Sequence, residues 1–219
     1  MRVETIEQLY CPAAHAPSPL ITVAFERDGD WLIEGLLGCS VCGAEYVMAN
    51  GIVHFDALPE RSADADGRAS DGVLSDPMRV AALLGLSEPG MRIVLCGDFG
   101  NDAAALEHAT GARCLVVNWL GSADLPHGGD RVTMPVDAML PLAIGAMHGM
   151  AVDDTHIPQL LRAALVVRAG GRVLAPSAAP VPQGCTELAR DAVHWVAEVN
   201  ASASGLVALH VRRRPGAPE

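Results

Sequence analysis

The sequence contains no lysine, so all fifteen of its basic residues are arginines. Lysine forms Schiff bases with carbonyl substrates and binds the phosphates in Walker-type loops. Its absence excludes both kinds of chemistry. The net charge is −11, and an acidic surface disfavours broad binding to nucleic acid, which requires clustered cations. The arginine run at residues 212–214 is a small exception that we interpret as a solvated strand end.

The sequence also lacks long apolar runs. No stretch of about 18 apolar residues is unbroken, which argues against a membrane-spanning helix. Residues 1–5 are charged and lack the apolar core of a secretory signal. The six cysteines, two of them in a Cys-x-x-Cys pair, favour a reducing compartment over a disulfide framework. We therefore expect a cytoplasmic protein.

Two half-motifs near the start of the chain predict a metal site. Cys39 and Cys42 have the spacing of a zinc knuckle, and Gly43 permits the tight turn between its strands. Cys11 and His15 are the plausible partners nearby in sequence. Together they predict a structural zinc site, because four protein ligands leave no open position for catalysis. The alternative is a ribbon that has lost its metal and keeps free thiols.

Residues 1–58 are predicted to form a small β-unit, and residues 59–76 a polar linker. The turns at Asp28-Gly29 and Asn50-Gly51 predict two hairpins. The unit resembles the zinc-ribbon activator subunits of tRNA, ribosomal RNA and release-factor methyltransferases over residues 6–58. The matching segments are Cys11-Pro12, residues 34–37, Cys39, Cys42 and the turn at residues 50–52. That family usually has four cysteines, whereas this chain has His15 at one position.

Residues 77–219 alternate predicted strands and helices, which is typical of an α/β fold with a parallel sheet. Residues 92–96, 113–118 and 146–152 are predicted strands, and residues 157–167 a helix that ends at Gly170-Gly171. Two further strands, at residues 193–199 and 206–211, are expected to form a closing antiparallel hairpin.

This second unit resembles class I S-adenosylmethionine-dependent methyltransferases over residues 77–211. The segment that begins with Asp137-Ala138 resembles the one whose acidic residue contacts the adenine. Residues 161–174 resemble the helix, glycine turn and fifth strand of that fold. The resemblance implies a Rossmann-like methyltransferase fold, with a mostly parallel seven-stranded sheet whose last strand is antiparallel. It also implies S-adenosylmethionine as the cofactor.

The predicted cofactor loop, Gly97-Asp98-Phe99-Gly100, departs from the family pattern. Such enzymes carry an acidic residue and a Gly-x-Gly-x-Gly turn after the first strand, because glycine lets the backbone approach the cofactor closely. Here Phe99 is expected either to fill part of the methionine pocket or to pack outward beneath residues 59–76. The loop is thus either a divergent but working cofactor site or one that has lost cofactor binding.

Asn118 occupies the position of the acidic residue that would hold the ribose hydroxyls. Asparagine can donate to or accept from a hydroxyl, but without charge assistance. Trp119 follows it and is predicted either to stack on a base or to belong to the core.

Asp153, Asp154 and His156 follow the predicted fourth strand. Ligand sites in open α/β sheets lie at the carboxyl ends of strands, so these residues are candidates for substrate contacts or proton transfer. The alternative is that Asp154 or Thr155 caps the following helix.

Two functions remain open from the sequence. The first is a methyltransferase-like protein that binds S-adenosylmethionine, has an unassigned substrate, and carries a zinc ribbon in place of a separate activator. The second is a non-catalytic scaffold, a pseudo-methyltransferase stabilised by zinc, that binds a protein partner or another small ligand; a protein partner or a small-molecule substrate is thus expected. The altered glycine loop favours the second function.

Overall fold

The structure, a computed structural model, describes residues 1–56, 76–118 and 129–200. Within these ranges the chain builds an 11-stranded mixed sheet, not the seven-stranded sheet expected from the sequence. The strands are β1 (Leu20–Asp28), β2 (Trp31–Cys39), β3 (Glu45–Ala49), β4 (Ile52–His54), β5 (Arg92–Cys96), β6 (Arg113–Val117), β7 (Asp130–Thr133), β8 (Met147–Ala151), β9 (Val167–Pro176), β10 (Cys185–Arg190) and β11 (His194–Val199).

Four α-helices and two 3-10 helices accompany these strands. The α-helices are α1 (Val3–Ile6), α2 (Pro77–Leu84), α3 (Ala103–Thr110) and α4 (Leu160–Val166), and the 3-10 helices are Gly97–Asp102 and Asp154–Gln159. Asp76 caps α2 by accepting from the Met78 N–H, and Pro77 occupies the first turn, where its missing donor costs no hydrogen bond. Among the described residues, none of the helices has the length and apolarity needed to cross a lipid bilayer.

The strand order is β1-β2-β3-β4-β7-β6-β5-β8-β9-β11-β10. Strands β7, β6, β5, β8 and β9 are parallel and follow the 3-2-1-4-5 order of doubly wound nucleotide-binding folds. Strand β11 lies antiparallel beside β9, and β10 lies antiparallel beside β11. The expected sheet of seven strands is not confirmed, because the sheet has 11 strands; its switch point lies between β5 and β8.

The four N-terminal strands extend this same sheet. Strands β1 to β4 form an antiparallel meander with turns at the predicted positions, and Asn50 and Gly51 both have positive φ, as a hairpin of this type requires. Strand β4 then pairs in parallel with β7, with Val53 opposite Val132. The division of the chain at residues 59–76 stays a prediction, because residues 57–75 lie outside the described ranges.

Alternation of side chains gives the sheet two apolar faces. Ile93 and Leu95 of β5 face α2 and α3, whereas Val94 and Cys96 face the N-terminal segment and α4. The second face forms one continuous core from Leu9 and Cys39 to Trp195. The apolar residues of the predicted β-unit at residues 1–58 therefore pack against those of the parallel sheet.

An ionic cluster, formed by Arg2, Thr5, Glu107 and Asp130, anchors the N-terminal segment to this sheet. Asp130 is buried and accepts hydrogen bonds from the Arg2 N–H (2.7 Å), Arg2 Nη1 (3.2 Å) and Thr5 Oγ1 (2.5 Å). Arg2 Nη2 donates to both carboxylate oxygens of Glu107 on α3 at 2.9 Å. The cluster ties β7, α3 and the first residues of the chain together.

Two sequence predictions about the C-terminal third need correction. The helix predicted over residues 157–167 begins as a 3-10 helix and ends at Val166, because Val167 is extended and starts β9. Gly170-Gly171 therefore lies within β9 and is not the helix cap. A Cβ on Gly171 would lie 2.5 Å from the His148 carbonyl oxygen, so β8 requires glycine there.

The predicted closing hairpin is also different. Strand β11 is present, but β9 and the previously unpredicted β10 occupy its two sides. Residues 206–211 lie outside the described ranges.

Candidate functional site

The four predicted metal ligands converge at one end of the ribbon. Cys11, His15, Cys39 and Cys42 each present a ligand atom, and these atoms all lie within 4.8 Å of one another. The Sγ atoms of Cys11 and Cys42 are 3.7 Å apart, and Cys39 Sγ is 3.4 Å from His15 Nε2. A tetrahedral zinc with Zn–S of about 2.3 Å and Zn–N of about 2.0 Å would require separations of about 3.8 and 3.5 Å. These two separations match the ones that a tetrahedral zinc requires, and the cluster therefore suggests a metal site.

Neighbouring groups orient these ligands. His15 Nδ1 lies 2.6 Å from the Ala16 carbonyl oxygen, which places the proton on Nδ1 and leaves the Nε2 lone pair facing the thiols. The Tyr46 hydroxyl lies 3.4 Å from Cys11 Sγ, and the Val41 N–H donates to Cys39 Sγ. Hydrogen bonds from backbone N–H groups, first from Cys42, lower the pKa of Cys39 to about 6. A thiolate of this kind is the form that binds a metal.

The second candidate site lies at the switch point, where β5 and β8 end side by side. Gly97 follows β5 with φ of +62°, and Asp153 follows β8. A Cβ on Gly97 would lie 1.8 Å from Asp153 Oδ2, so the carboxylate occupies the space that the glycine leaves open. Asp153 Oδ2 also accepts the Asp98 N–H at 2.9 Å. The loop that was predicted to contact a cofactor is therefore in direct contact with the protein's own carboxylate.

Asp153 also holds the imidazole of His156. Asp153 Oδ1 lies 2.6 Å from His156 Nδ1 and accepts the His156 N–H at 3.0 Å, which caps the second 3-10 helix. The cap is thus Asp153, and not Asp154 or Thr155; Asp154 is exposed. Burial disfavours the charged form of Asp153 and by itself would raise its pKa. The hydrogen bonds from His156 and from the Asp98 N–H outweigh this effect, so the pKa of Asp153 lies below its usual value.

The far nitrogen of this imidazole has no partner among the described residues. His156 is 3 % exposed, and its Nε2 makes no hydrogen bond to any described atom. Gln159, one turn later and 1 % exposed, donates from Nε2 to the carbonyl oxygens of Val136 (2.7 Å) and Ala138 (3.0 Å), while its Oε1 has no described partner. Gln159 therefore fixes the backbone on both sides of Asp137.

The other residues that were predicted to contact the cofactor lie in several different surroundings. Phe99 is buried in the core between α2 and the sheet, where its ring lies 5.7 Å from that of His194. The side-chain amide of Asn118 donates to the Met134 carbonyl oxygen (2.8 Å) and accepts the Met134 N–H (2.7 Å). Asp137 is exposed and Ala138 half-buried. Trp119 lies outside the described residues.

Sequence reasoning missed Gln159 and Tyr46. Gln159 is the polar residue at a buried position between Ile157 and Leu160, a pattern that indicates a specific hydrogen-bonding role. Tyr46 gives no such signal, since only the hairpin register places its hydroxyl near Cys11. The two candidate sites are distinct: five strand steps separate β2 from β5, or about 24 Å at the usual spacing.

The sequence matches no protein-family model and no curated protein sequence. Among solved structures, the chain is similar to geranyl diphosphate C-methyltransferase from Streptomyces coelicolor, solved with Mg²⁺, geranyl diphosphate and S-adenosyl-L-homocysteine (13% identity, TM-score 0.38, 45% of this chain and 43% of that chain). It is also similar to the antibiotic-resistance methyltransferase Kmr (16% identity, TM-score 0.37, 59% and 95%). A third similar structure is the complex between the Haloferax volcanii Trm112 methyltransferase activator and a methyltransferase (14% identity, TM-score 0.33, 45% and 54%).

The chain spans about half the length of the first structures to which it is similar. Identities and scores at this level assign no family and no activity. The fold assignment rests on the strand order, which is that of an α/β, methyltransferase-like domain with a mixed sheet.

Proposed function

We propose that this chain is a zinc-stabilised, methyltransferase-like protein that does not use S-adenosylmethionine and acts as a binding scaffold for a protein partner. One observation carries the proposal: Asp153 fills the space beside Gly97 and accepts the Asp98 N–H. In a working site of this type, the glycine turn leaves its backbone open so that the cofactor can approach it. Here the protein's own carboxylate takes that place.

The remaining cofactor positions do not fit the ligand either. Asn118 replaces the acidic ribose-binding residue, and its amide is already bonded to the backbone of Met134 on both sides. The Phe99 ring is packed in the core, so the loop lacks the backbone freedom that a glycine at this position would give it. Asp137, which is exposed beside its Gln159 anchor, and Asp98, which is exposed in the loop, are predicted contacts that stay accessible. We therefore assign no methyl-transfer step to these residues.

Calorimetric titration of the full chain with S-adenosylmethionine and with S-adenosylhomocysteine tests this proposal. We expect no saturable heat with either compound. Asp153→Ala removes the carboxylate from the loop, and Asp154→Ala is the matched control, because Asp154 is the next residue in the chain and its side chain is exposed. Saturable binding by the unaltered protein would contradict the scaffold proposal.

A second candidate function is favoured by the unpartnered Nε2 of His156. An imidazole held at Nδ1 by a carboxylate, with its other nitrogen buried and unbonded, is the arrangement of a general base. In this alternative the chain is an S-adenosylmethionine-dependent methyltransferase whose site includes Asp153 and His156. Titration would then show binding, and Asp137→Ala should weaken it by about 1–3 kcal/mol, the usual cost of removing a hydrogen bond to a charged group.

Structural zinc is the second part of the proposal. Cys11, His15, Cys39 and Cys42 cluster within 4.8 Å, two of their separations match those of a zinc site, and the His15 imidazole is oriented and the Cys39 pKa lowered; these features support a bound zinc ion. The cysteines are all free, which also supports the proposed cytoplasmic location. Bound zinc would hold the first residues of the ribbon against the β2–β3 turn.

Metal analysis of protein purified without added zinc tests this part. We expect about one zinc per chain, the norm for a four-ligand structural site. Cys39→Ser should abolish the bound metal, whereas Cys185→Ser, which changes a cysteine on the opposite edge of the sheet, should leave it intact. A folded, metal-free ribbon in the unaltered protein would rule out the zinc site.

A further inference from the structure

The three cysteines of the metal cluster differ in their access to solvent. Cys42 lies in the turn between β2 and β3 and is exposed, whereas Cys11 and Cys39 are each 4% exposed. The Sγ atom of Cys42 lies 3.7 Å from the Sγ atom of Cys11. An exposed thiolate with a second cysteine sulfur beside it is the arrangement in which oxidation leads to a reversible disulfide.

We propose that Cys42 and Cys11 form a disulfide in the presence of a hydroperoxide, and that this oxidation releases the bound zinc. The proposal rests on the structural zinc proposed above, since it describes how that site is regulated. All cysteines of a zinc-bound cluster are thiolates. Their access to the oxidant therefore decides which one reacts first, and the exposed sulfur is that of Cys42.

The reaction consists of two displacement steps. The Cys42 thiolate attacks the terminal oxygen of the hydroperoxide, the O–O bond breaks, and the leaving oxygen takes up a proton, which gives a Cys42 sulfenic acid and an alcohol or water. The Cys11 thiolate then attacks the Cys42 sulfur, the S–O bond breaks, and hydroxide leaves and takes up a proton as water. The two sulfurs lose two electrons in all, and the hydroperoxide gains them.

The movement that the second step requires is small. The two sulfurs must approach from 3.7 Å to the length of a disulfide bond, about 2.05 Å. Cys11 is buried, and its N–H donates to the Ser18 carbonyl oxygen, which fixes its backbone. The turn that carries Cys42 has space to shift, because no atom lies within 4 Å of the position that a Cβ on Gly43 would take. We therefore expect Cys42 to move towards Cys11.

The disulfide would remove two of the four zinc ligands. His15 and Cys39 would remain, and two ligands do not complete a structural zinc site, which has four. The N-terminal segment would stay joined to the turn between β2 and β3 through the new bond. In a reducing compartment such a disulfide is transient, because cellular thiols reduce it, and the site can then bind zinc again.

The other three cysteines serve as internal controls. Cys96 and Cys114 are 0% and 1% exposed, and burial raises the pKa of both thiols well above the usual value. Cys185 is half-buried, and burial raises its pKa as well. A neutral thiol is a poor nucleophile, so these three residues should stay reduced while Cys11 and Cys42 are oxidised.

Peptide mapping of the full chain after treatment with hydrogen peroxide tests the proposal. Because the chain has no lysine, trypsin cleaves it only after arginine, which places Cys11 on the peptide 3–27 and both Cys39 and Cys42 on the peptide 28–61. A colorimetric chelator measures the zinc in solution at the same time. We expect zinc to be released in step with cross-linking of these two peptides. Fragmentation should assign the link to Cys42, and dithiothreitol should reverse it.

Two variants and one treatment sharpen the test. Cys42→Ser should form no link between the two peptides. Cys185→Ser is the matched control, because Cys185 lies on β10 at the opposite edge of the sheet, and this variant should form the link as the unaltered chain does. Removal of zinc with a chelator in the absence of peroxide should release the metal and leave the two peptides unlinked.

Four results would overturn the proposal: zinc release without a link, a link through Cys39, a disulfide confined to the peptide 28–61, or a chain that keeps its zinc and its free thiols in excess peroxide. Failure of the zinc site itself is detected separately, by metal analysis before the treatment. A chain that holds no zinc at that stage would contradict both the structural zinc and its release, and the peptide map would still decide whether Cys11 and Cys42 form the disulfide.

Discussion

Removal of the Arg2 side chain tests whether the N-terminal strands β1 to β4 and the parallel sheet are one structural unit. Arg2 bonds Asp130 of β7 and Glu107 of α3, and its guanidinium carbon lies 4.8 Å from the centre of the Trp31 ring. Asp130 is 1 % exposed, so solvent cannot replace the lost partner. Arg2→Ala therefore removes the guanidinium group from both carboxylates, and leaves buried Asp130 with the N-terminal ammonium as its remaining cationic neighbour among the described residues.

The expected loss of stability is large. Breaking a buried ion pair by removal of one partner costs about 3–5 kcal/mol, against total stabilities of about 5–15 kcal/mol for typical domains. The matched control is Arg113→Ala, because Arg113 pairs with Glu4 at 3.2 Å and both side chains are about half exposed. An exposed pair contributes about 0–1 kcal/mol. The two arginines thus differ in burial while both connect the N-terminal segment to the sheet.

Chemical denaturation, monitored by tryptophan fluorescence and by circular dichroism, measures both variants. We expect one cooperative transition that moves to lower denaturant for Arg2→Ala and hardly at all for Arg113→Ala. Equal effects of the two variants would show that the ionic cluster does not determine the stability of this junction. Two separate transitions in the unaltered protein would contradict the single continuous core.

Two further predictions concern the switch point. Gly97→Ala should destabilise the protein by clearly more than Gly90→Ala. Both glycines have positive φ, for which left-handed strain costs about 1–2 kcal/mol, but only at Gly97 would the new Cβ collide with Asp153. Thermal denaturation of the two variants measures the difference. Stability should also depend on Asp153 at acid pH. Its pKa is lowered in the folded state, so its contribution is complete above the unfolded value of about 3.9 and is lost as pH falls through the folded pKa. The stability difference between the unaltered protein and Asp153→Asn should therefore shrink on acidification, whereas Asp154→Asn should follow the unaltered protein; a constant difference for Asp153→Asn would refute the linkage.

Much of the local structure could be predicted because it depends on short sequence patterns. The hairpin turns at Gly29 and Gly51 have the positive φ that the Asp-Gly and Asn-Gly pairs predicted. The buried strand β5 was recognisable from its run of apolar residues. The cluster of four candidate metal ligands was predictable because each half of it is a short, self-contained motif.

Other features depended on contacts between distant segments. Strand β7 is short and polar at three of its four positions, and it becomes a strand because it pairs with β6 on one side and with β4 on the other. Strand β10 is exposed along its length and is defined by its pairing with β11. The glycine pair at residues 170–171 suggested a helix cap, but α4 ends at Val166 and both glycines lie within β9, which pairs with β8.

The sequence by itself determined the alternation of strands and helices, the hairpin turns and the four candidate zinc ligands, since residues close in the chain specify each of them. Only the tertiary structure decided that strands β1 to β4 continue the parallel sheet, and that the Asp153 carboxylate fills the space beside Gly97 in the loop after β5. Both depend on pairings between segments far apart in sequence, such as the Asp98–Asp153 hydrogen bond across 55 residues. Burial of the shared apolar face selects these pairings, and no local pattern encodes them.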